Sequence, residues 1–109
     1  MERIFNPGKY RYRIDFLQRI SGRDEYGEPI DAWEVFKSAW ASKEPILGNE
    51  YFNALTANTR VDVKFNCRYI PGIKNDMRIR HGNEVYEILS AINVKGLNRE
   101  LLCYCRLVE

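Results

Sequence analysis

Val61-Asp62-Val63-Lys64-Phe65-Asn66-Cys67-Arg68-Tyr69 alternates apolar and polar side chains without a break. Successive side chains leave a pleated backbone on opposite sides, so a period of two marks a strand with one buried face and one wetted face. Val61, Val63, Phe65, Cys67 and Tyr69 form the inward set. Pro71-Gly72 ends the run. Proline pre-sets the first central position of a turn, and glycine supplies the positive φ of the second.

The same period recurs on either side. Tyr10, Tyr12, Ile14 and Phe16 alternate with Arg11, Arg13 and Asp15, which predicts a strand. Residues from about Asp31 to Ala41 carry Trp33, Val35, Phe36 and Trp40, an aromatic-rich strand with a bulge expected near Lys37-Ser38. Between these two strands, Ser21 to Pro29 holds turn formers and charge. Further on, Met77-Arg78-Ile79-Arg80 and Glu84 to Leu89 flank His81-Gly82-Asn83, which reads as a three-residue hairpin loop. Glu100 to Val108 is apolar on both faces, as expected of a strand covered on two sides or used in assembly. A single stretch reads as helical: Asn49 is placed as N-cap, Glu50 falls in the first turn, and Phe52 and Leu55 are three apart.

Six short strands in 109 residues predict a mainly β fold: a small antiparallel six-stranded β-barrel with one short helix and long loops. Closure into a barrel removes the sheet edges that would otherwise need protection. There is no internal repeat or linker, so residues 1–109 are expected to form one domain. Alternation and residue type place Tyr12, Ile14, Trp33, Trp40, Val63, Phe65, Ile79 and Ile88 in the core.

Composition is that of a globular chain: 45% hydrophobic, 13% aromatic and 29% charged. No apolar run approaches the roughly 20 residues of a membrane span, and residues 1–20 lack the apolar core of a secretion signal. These features predict no membrane partner and synthesis in the cytoplasm. Cys67, Cys103 and Cys105 are too few and odd in number for a disulfide framework. With one histidine besides, they fall short of a tetrahedral metal set, so buried, reduced, core-filling thiols are expected.

The chain holds no phosphate-binding loop, dinucleotide fingerprint, nucleophile elbow or metalloprotease motif. Asp24, Glu25 and Glu28 lack the alternating oxygen ligands of a calcium loop. The expectation is a protein with no catalytic residues, no metal and no cofactor.

Charge is distributed unevenly. Residues 1–20 hold five basic and two acidic groups, 21–36 one basic and five acidic, and 61–82 five basic and two acidic. The net charge is only +2, which argues against tight nucleic-acid binding by bulk charge. Oppositely charged faces suit association between copies or with a partner. Candidates for such contacts are Arg11, Arg13, Arg68 and Arg78 on the basic side, with Asp24, Glu25, Tyr26 and Glu28 on the acidic side.

The order of motifs resembles the phage head-tail joining family, the head-tail adaptors and head-completion or stopper proteins. The residues that carry the resemblance run from Gly8-Lys9-Tyr10-Arg11-Tyr12-Arg13-Ile14 through Asp24-Glu25-Tyr26-Gly27-Glu28-Pro29 to Trp33 and Trp40-Ala41. They continue with Pro45, Gly48, Glu50-Tyr51-Phe52 and Arg68-Tyr69-Ile70-Pro71-Gly72-Ile73. Met77-Arg78, Tyr86-Glu87-Ile88 and Asn98-Arg99-Glu100-Leu101-Leu102 complete the set. Asn93-Val94-Lys95-Gly96 and the cysteine-rich last strand depart from it.

The resemblance implies a non-enzymatic virion or prophage protein at the head-tail interface, made in the bacterial host cytoplasm. It implies a homo-oligomeric, dodecameric ring beneath the portal adaptor protein that offers a docking surface to the tail completion or terminator protein. Double-stranded DNA would pass through the ring without specific binding. In some members a loop closes the channel, and by position that loop falls within Pro45–Arg60. Its candidate residues are Pro45, Gly48, Asn49, Glu50, Tyr51, Phe52, Thr56 and Asn58. An alternative class is a small β-barrel nucleic-acid- or protein-binding module of the bacterial host.

Overall fold

A computed structural model describes residues 10–29, 32–46 and 60–108. The described residues form six strands: β1 (Tyr12–Arg19), β2 (Trp33–Pro45), β3 (Val63–Arg68), β4 (Arg78–His81), β5 (Glu84–Asn93) and β6 (Glu100–Val108). Every pairing is antiparallel, and the order β1-β2-β3-β6-β5-β4 closes on itself as a barrel. The mainly β, six-stranded barrel expected from alternation is the observed fold. The expected short helix, residues 49–55, lies outside the described residues. Among those described, helical structure is limited to a 3-10 turn at Val94–Gly96.

The strand that decides the fold keeps its predicted register. Val63, Phe65 and Cys67 point inward, while Lys64, Asn66 and Arg68 do not. Phe65 pairs with Cys103 and Lys43 across its two neighbours, so β3 sits between β2 and β6. Ile14 and Phe16, Ala41, Ile79, Tyr86 and Ile88, and Leu101, Cys103 and Cys105 complete the interior, with Met77 beside them. All three cysteines are free and buried there. Burial pushes the Cys67 thiol up to about 12 and raises Cys103 and Cys105 as well, so the thiols stay protonated and pack as small apolar groups.

Of the residues expected in the core, Ile14, Val63, Phe65, Ile79 and Ile88 are buried, Trp33 is half-buried, and Tyr12 and Trp40 are exposed. Trp40 alternates with Ala39 and Ala41, and the alanines take the inward positions. A six-strand barrel has little internal room. Phe16, Phe65 and Tyr86 already supply its bulk, and small residues opposite them fit where an indole would not. Tyr12 has the inward parity but stands at the barrel rim, 38% exposed, with its ring edge-on to His81 at 5.4 Å.

Two irregularities bend the barrel. Pairing steps from Phe16↔Lys37 to Leu17↔Val35, which leaves Phe36 as an extra residue in β2, slightly before the expected bulge at Lys37-Ser38. Phe16 belongs to the interior cluster, whereas Leu17, also buried, does not and has the parity of Arg78 opposite it in β4. A second step, from Ile88↔Cys105 to Ser90↔Tyr104, leaves Leu89 extra and lets β5 run on to Asn93. The expected three-residue hairpin loop is shorter: His81 pairs with Glu84, so Gly82-Asn83 alone makes the turn, with Gly82 at φ +62°. A glycine at the first central position suits a type II′ hairpin turn.

Candidate functional site

Strand direction sorts the connections between two rims. β1 begins, β2 ends, β3 begins and β6 ends at one rim, which also carries the Gly82-Asn83 turn. The opposite rim carries the connections β1–β2, β3–β4 and β5–β6. The acidic segment and the described ends of the Pro45–Arg60 segment, both singled out from sequence, therefore belong to opposite ends of the barrel.

At the first rim the Ile46 N–H donates to the Asp62 carbonyl at 3.3 Å, so the chain leaves and re-enters the barrel at neighbouring points. Pro45 closes β2 opposite Val63 and is exposed. Gly48, Asn49, Glu50, Tyr51, Phe52, Thr56 and Asn58 lie outside the described residues. A groove of about 470 Å3 opens at this rim, lined by Tyr12, Lys43, Pro45, His81 and Tyr86 among others.

A charged network stands in that groove. The Lys43 ammonium donates to Glu84 Oε1 at 3.0 Å and lies 3.4 Å from His81 Nδ1, and the Tyr86 hydroxyl donates to the same Glu84 oxygen at 2.7 Å. The hydrogen bonds from Tyr86 and Lys43 hold the Glu84 carboxyl below the usual carboxylate range. Burial opposes the charge on Lys43, but its partners Tyr86 and Glu84 outweigh burial and raise its pKa. A lysine acting as base or nucleophile needs the opposite shift, so this arrangement clamps β2 to the β4–β5 turn and has no poised reactive group.

The outer face of β2, β1 and β4 is built in tiers. Arg13 lies over the Trp40 ring at 5.6 Å. Next, the Ser38 hydroxyl donates to Asp15 at 2.6 Å, and Arg80 donates to the same carboxylate at 2.9 and 3.3 Å. Last, Arg19 and Arg78 flank the Trp33 ring at 4.7 and 4.4 Å. Arg78 is thus a stacking residue beside Trp33, in a different tier from Arg13. Arg68, at the end of β3, lies across β2 from β1, and Arg11 precedes β1 in an exposed position. Lys64, Arg80 and Arg106 do not add to a basic patch, because Lys64 pairs with Glu44, Arg80 with Asp15 and Arg106 with Glu87.

The middle tier makes a pH prediction. Bonds from Ser38 and then Arg80 lower the Asp15 pKa. The unfolded chain therefore takes up this proton at higher pH than the folded one. The stabilisation is complete above about pH 5 and is lost as pH falls through the lowered folded value. Asp15→Asn should lower stability at pH 7 by about 1 kcal/mol and flatten the acid side of the stability profile. Denaturant titrations at stepped pH check it. An acid limb as steep as in the wild type would remove Asp15 from this role.

Between β2 and β3, Tyr10, Lys37, Ala39, Trp40, Arg68 and Ile70 line a second groove of about 440 Å3. The Tyr10 hydroxyl donates to Asn66 Oδ1 at 3.1 Å, and burial is the main cause of its raised pKa. Trp40 is 54% exposed at its edge. Sequence reasoning assigned Trp40 to the core and gave Lys37 no role. The position of Trp40 between Ala39 and Ala41, two small residues of the opposite parity, was the available clue.

The acidic candidates Asp24, Glu25, Tyr26 and Glu28 occupy an exposed turn at the opposite rim. Asp24 Oδ1 accepts from the Tyr26 and Glu28 N–H groups at 2.9 and 3.0 Å, and the Asp24 N–H donates to the Glu28 carbonyl. The Arg23 guanidinium donates to the Gly27 carbonyl at 2.7 Å, and Arg23 bridges Pro29. Gly27, at φ +82°, allows the reversal. Asp24 is therefore internal to the turn, while Glu25, Tyr26 and Glu28 project from it, with Tyr26 81% exposed.

Among the described residues no group of three or more metal-ligating side chains gathers, and no helix is long and apolar enough to cross a membrane. Comparison with solved structures places the barrel beside two others. One is the solution structure of protein SF1141 from Shigella flexneri 2a, with a TM-score of 0.77, 24% identity and coverage of 94% of this chain and 96% of that one. The other is a chain from the virion of a native gene transfer agent particle, with a TM-score of 0.60, 20% identity and coverage of 88% and 93%. Among curated proteins, the head completion protein gp7 of Enterobacteria phage HK97 is 26% identical over 104 residues, covering 89% of this chain and 93% of its own. The family model of the phage head completion proteins matches residues 5–108. That match spans nearly the whole chain, and the chain belongs to the phage head completion protein family.

Proposed function

We propose that this chain is a structural head-completion protein acting at the head-tail interface of a virion. The observation that carries the reading is the family match over residues 5–108, which includes all six strands and both rims. A likeness to gp7, itself a head completion protein, agrees with it. In this reading residues 1–109 act as one domain, and the barrels associate into a homo-oligomeric ring beneath the portal adaptor. The ring extends the DNA exit channel, passes double-stranded DNA without specific contacts, and offers the tail completion protein a docking surface. The Pro45–Arg60 segment, which joins β2 to β3, is the candidate channel loop.

The placement of the cations supports protein contacts over nucleic-acid binding. A DNA-binding barrel needs a continuous basic track, with about one cation for each phosphate neutralised. Here Arg80, Lys64 and Arg106 are spent on carboxylates of neighbouring strands, and Arg19 and Arg78 lie on Trp33. No catalytic role is proposed.

A phage with a stop codon early in this reading frame tests the function. Capsids should fill with DNA and tails should assemble, but the heads should remain tailless and lose their DNA. Infectivity should fall by orders of magnitude and return when the chain is supplied in trans. Infectious, tailed particles that lack the chain would overturn the proposal.

A further inference from the structure

Two surfaces at separate places on this barrel carry opposite charge. The first is the groove between β2 and β3, whose lining combines the apolar Ala39, Trp40 and Ile70 with the cationic Lys37 and Arg68. Arg13, over the Trp40 ring, adds a third cation. The second is the acidic turn. Its backbone is fixed from within by Asp24 and Arg23, so little conformational freedom remains to be lost on docking. Glu25, Tyr26 and Glu28 have no hydrogen bond or ion pair from their side chains to any described residue. An almost wholly exposed tyrosine between two carboxylates, on a rigid turn, is the composition of an interface anchor.

We propose that the acidic turn of one copy docks in the Trp40 groove of the next, with Tyr26 entering over Trp40 and Ile70 and Glu25 and Glu28 meeting Arg13 and Lys37. The groove, at about 440 Å3, has room for a phenol ring and part of the turn that bears it. Neither surface is self-complementary, since two acidic turns repel each other and so do two basic grooves. A symmetric dimer through either surface is therefore disfavoured, and the contact runs head to tail, which generates a closed ring when the rotation per step closes. The proposal rests on the ring reading above and supplies its subunit contact.

Sedimentation velocity of the purified chain at rising concentration tests it. The wild type should associate beyond a dimer. Glu25→Lys with Glu28→Lys should be monomeric, and so should Arg13→Glu with Lys37→Glu. These positions are exposed, and circular dichroism and thermal melts should match the wild type. An equimolar mixture of the two variants should recover association in 1:1 composition, because each variant's unaltered surface fits the other and the two reversed surfaces attract. Tyr26→Ser alone should weaken association at least tenfold. Either double variant associating like the wild type, or a mixture that stays monomeric, would overturn the contact. A wild type that stays monomeric throughout overturns it too. The head-completion reading is judged apart from this, by the stop-codon particles.

Discussion

Phe65→Ala should lower the unfolding free energy by about 3–5 kcal/mol, a large part of the total for a domain of this size. Phe65 is 1% exposed at the centre of β3, and its ring meets Tyr86 edge-on at 5.2 Å. Its strand neighbours across the barrel are Lys43 and Cys103, so the void would open where β2, β3 and β6 share the interior. Barrel closure leaves the surrounding strands little room to collapse into it. Urea titration followed by tryptophan fluorescence measures the effect. A midpoint near that of the wild type would mean that the inward register of β3 is wrong.

Gly72→Val should cost about 1–3 kcal/mol, for a different reason. Gly72 sits at φ +90° in the turn after β3, where L side chains are strained. An added Cβ would also lie 3.2 Å from Phe36 Cζ, the bulged residue of β2. Gly82, at φ +62°, has nothing within 4 Å of such a Cβ and supplies the control. Gly82→Asn, a residue tolerant of this conformation, should cost little. Thermal unfolding of the two variants separates strain with contact from strain alone. Equal, small losses would show that the Phe36–Gly72 approach has no energetic consequence.

The fold was legible because alternation is a local property that barrel closure leaves intact. Each of the six strands carries its own inward set, and Ile14, Val63, Phe65, Ile79 and Ile88 lie where period two puts them. What failed was size. Aromatic bulk at Tyr12 and Trp40 suggested burial, but the interior volume of the barrel is a sum over all strands and no single strand reveals it. Bulges are similarly hidden: one extra residue at Phe36 or Leu89 changes the parity of everything beyond it.

The candidate surfaces were legible in part. The acidic segment stood out by composition, and its residues do project from one turn. That Asp24 turns inward as the acceptor for two backbone N–H groups needed coordinates. So did the division of the basic residues, because Asp15, Glu44 and Glu87 neutralise cations that are distant in sequence but adjacent across strands. The resemblance to head-tail joining proteins and the family match agree on what pattern alone left open.

The most direct measurement is an electron cryo-microscopy reconstruction of the portal vertex of particles that contain this chain. A ring of six-stranded barrels is expected between the portal assembly and the tail. The rim bearing Pro45 and Asp62 should face the channel, and Tyr26 of each copy should lie against Trp40 of its neighbour. A complete, DNA-filled, tailed particle whose vertex contains no such barrel would contradict it.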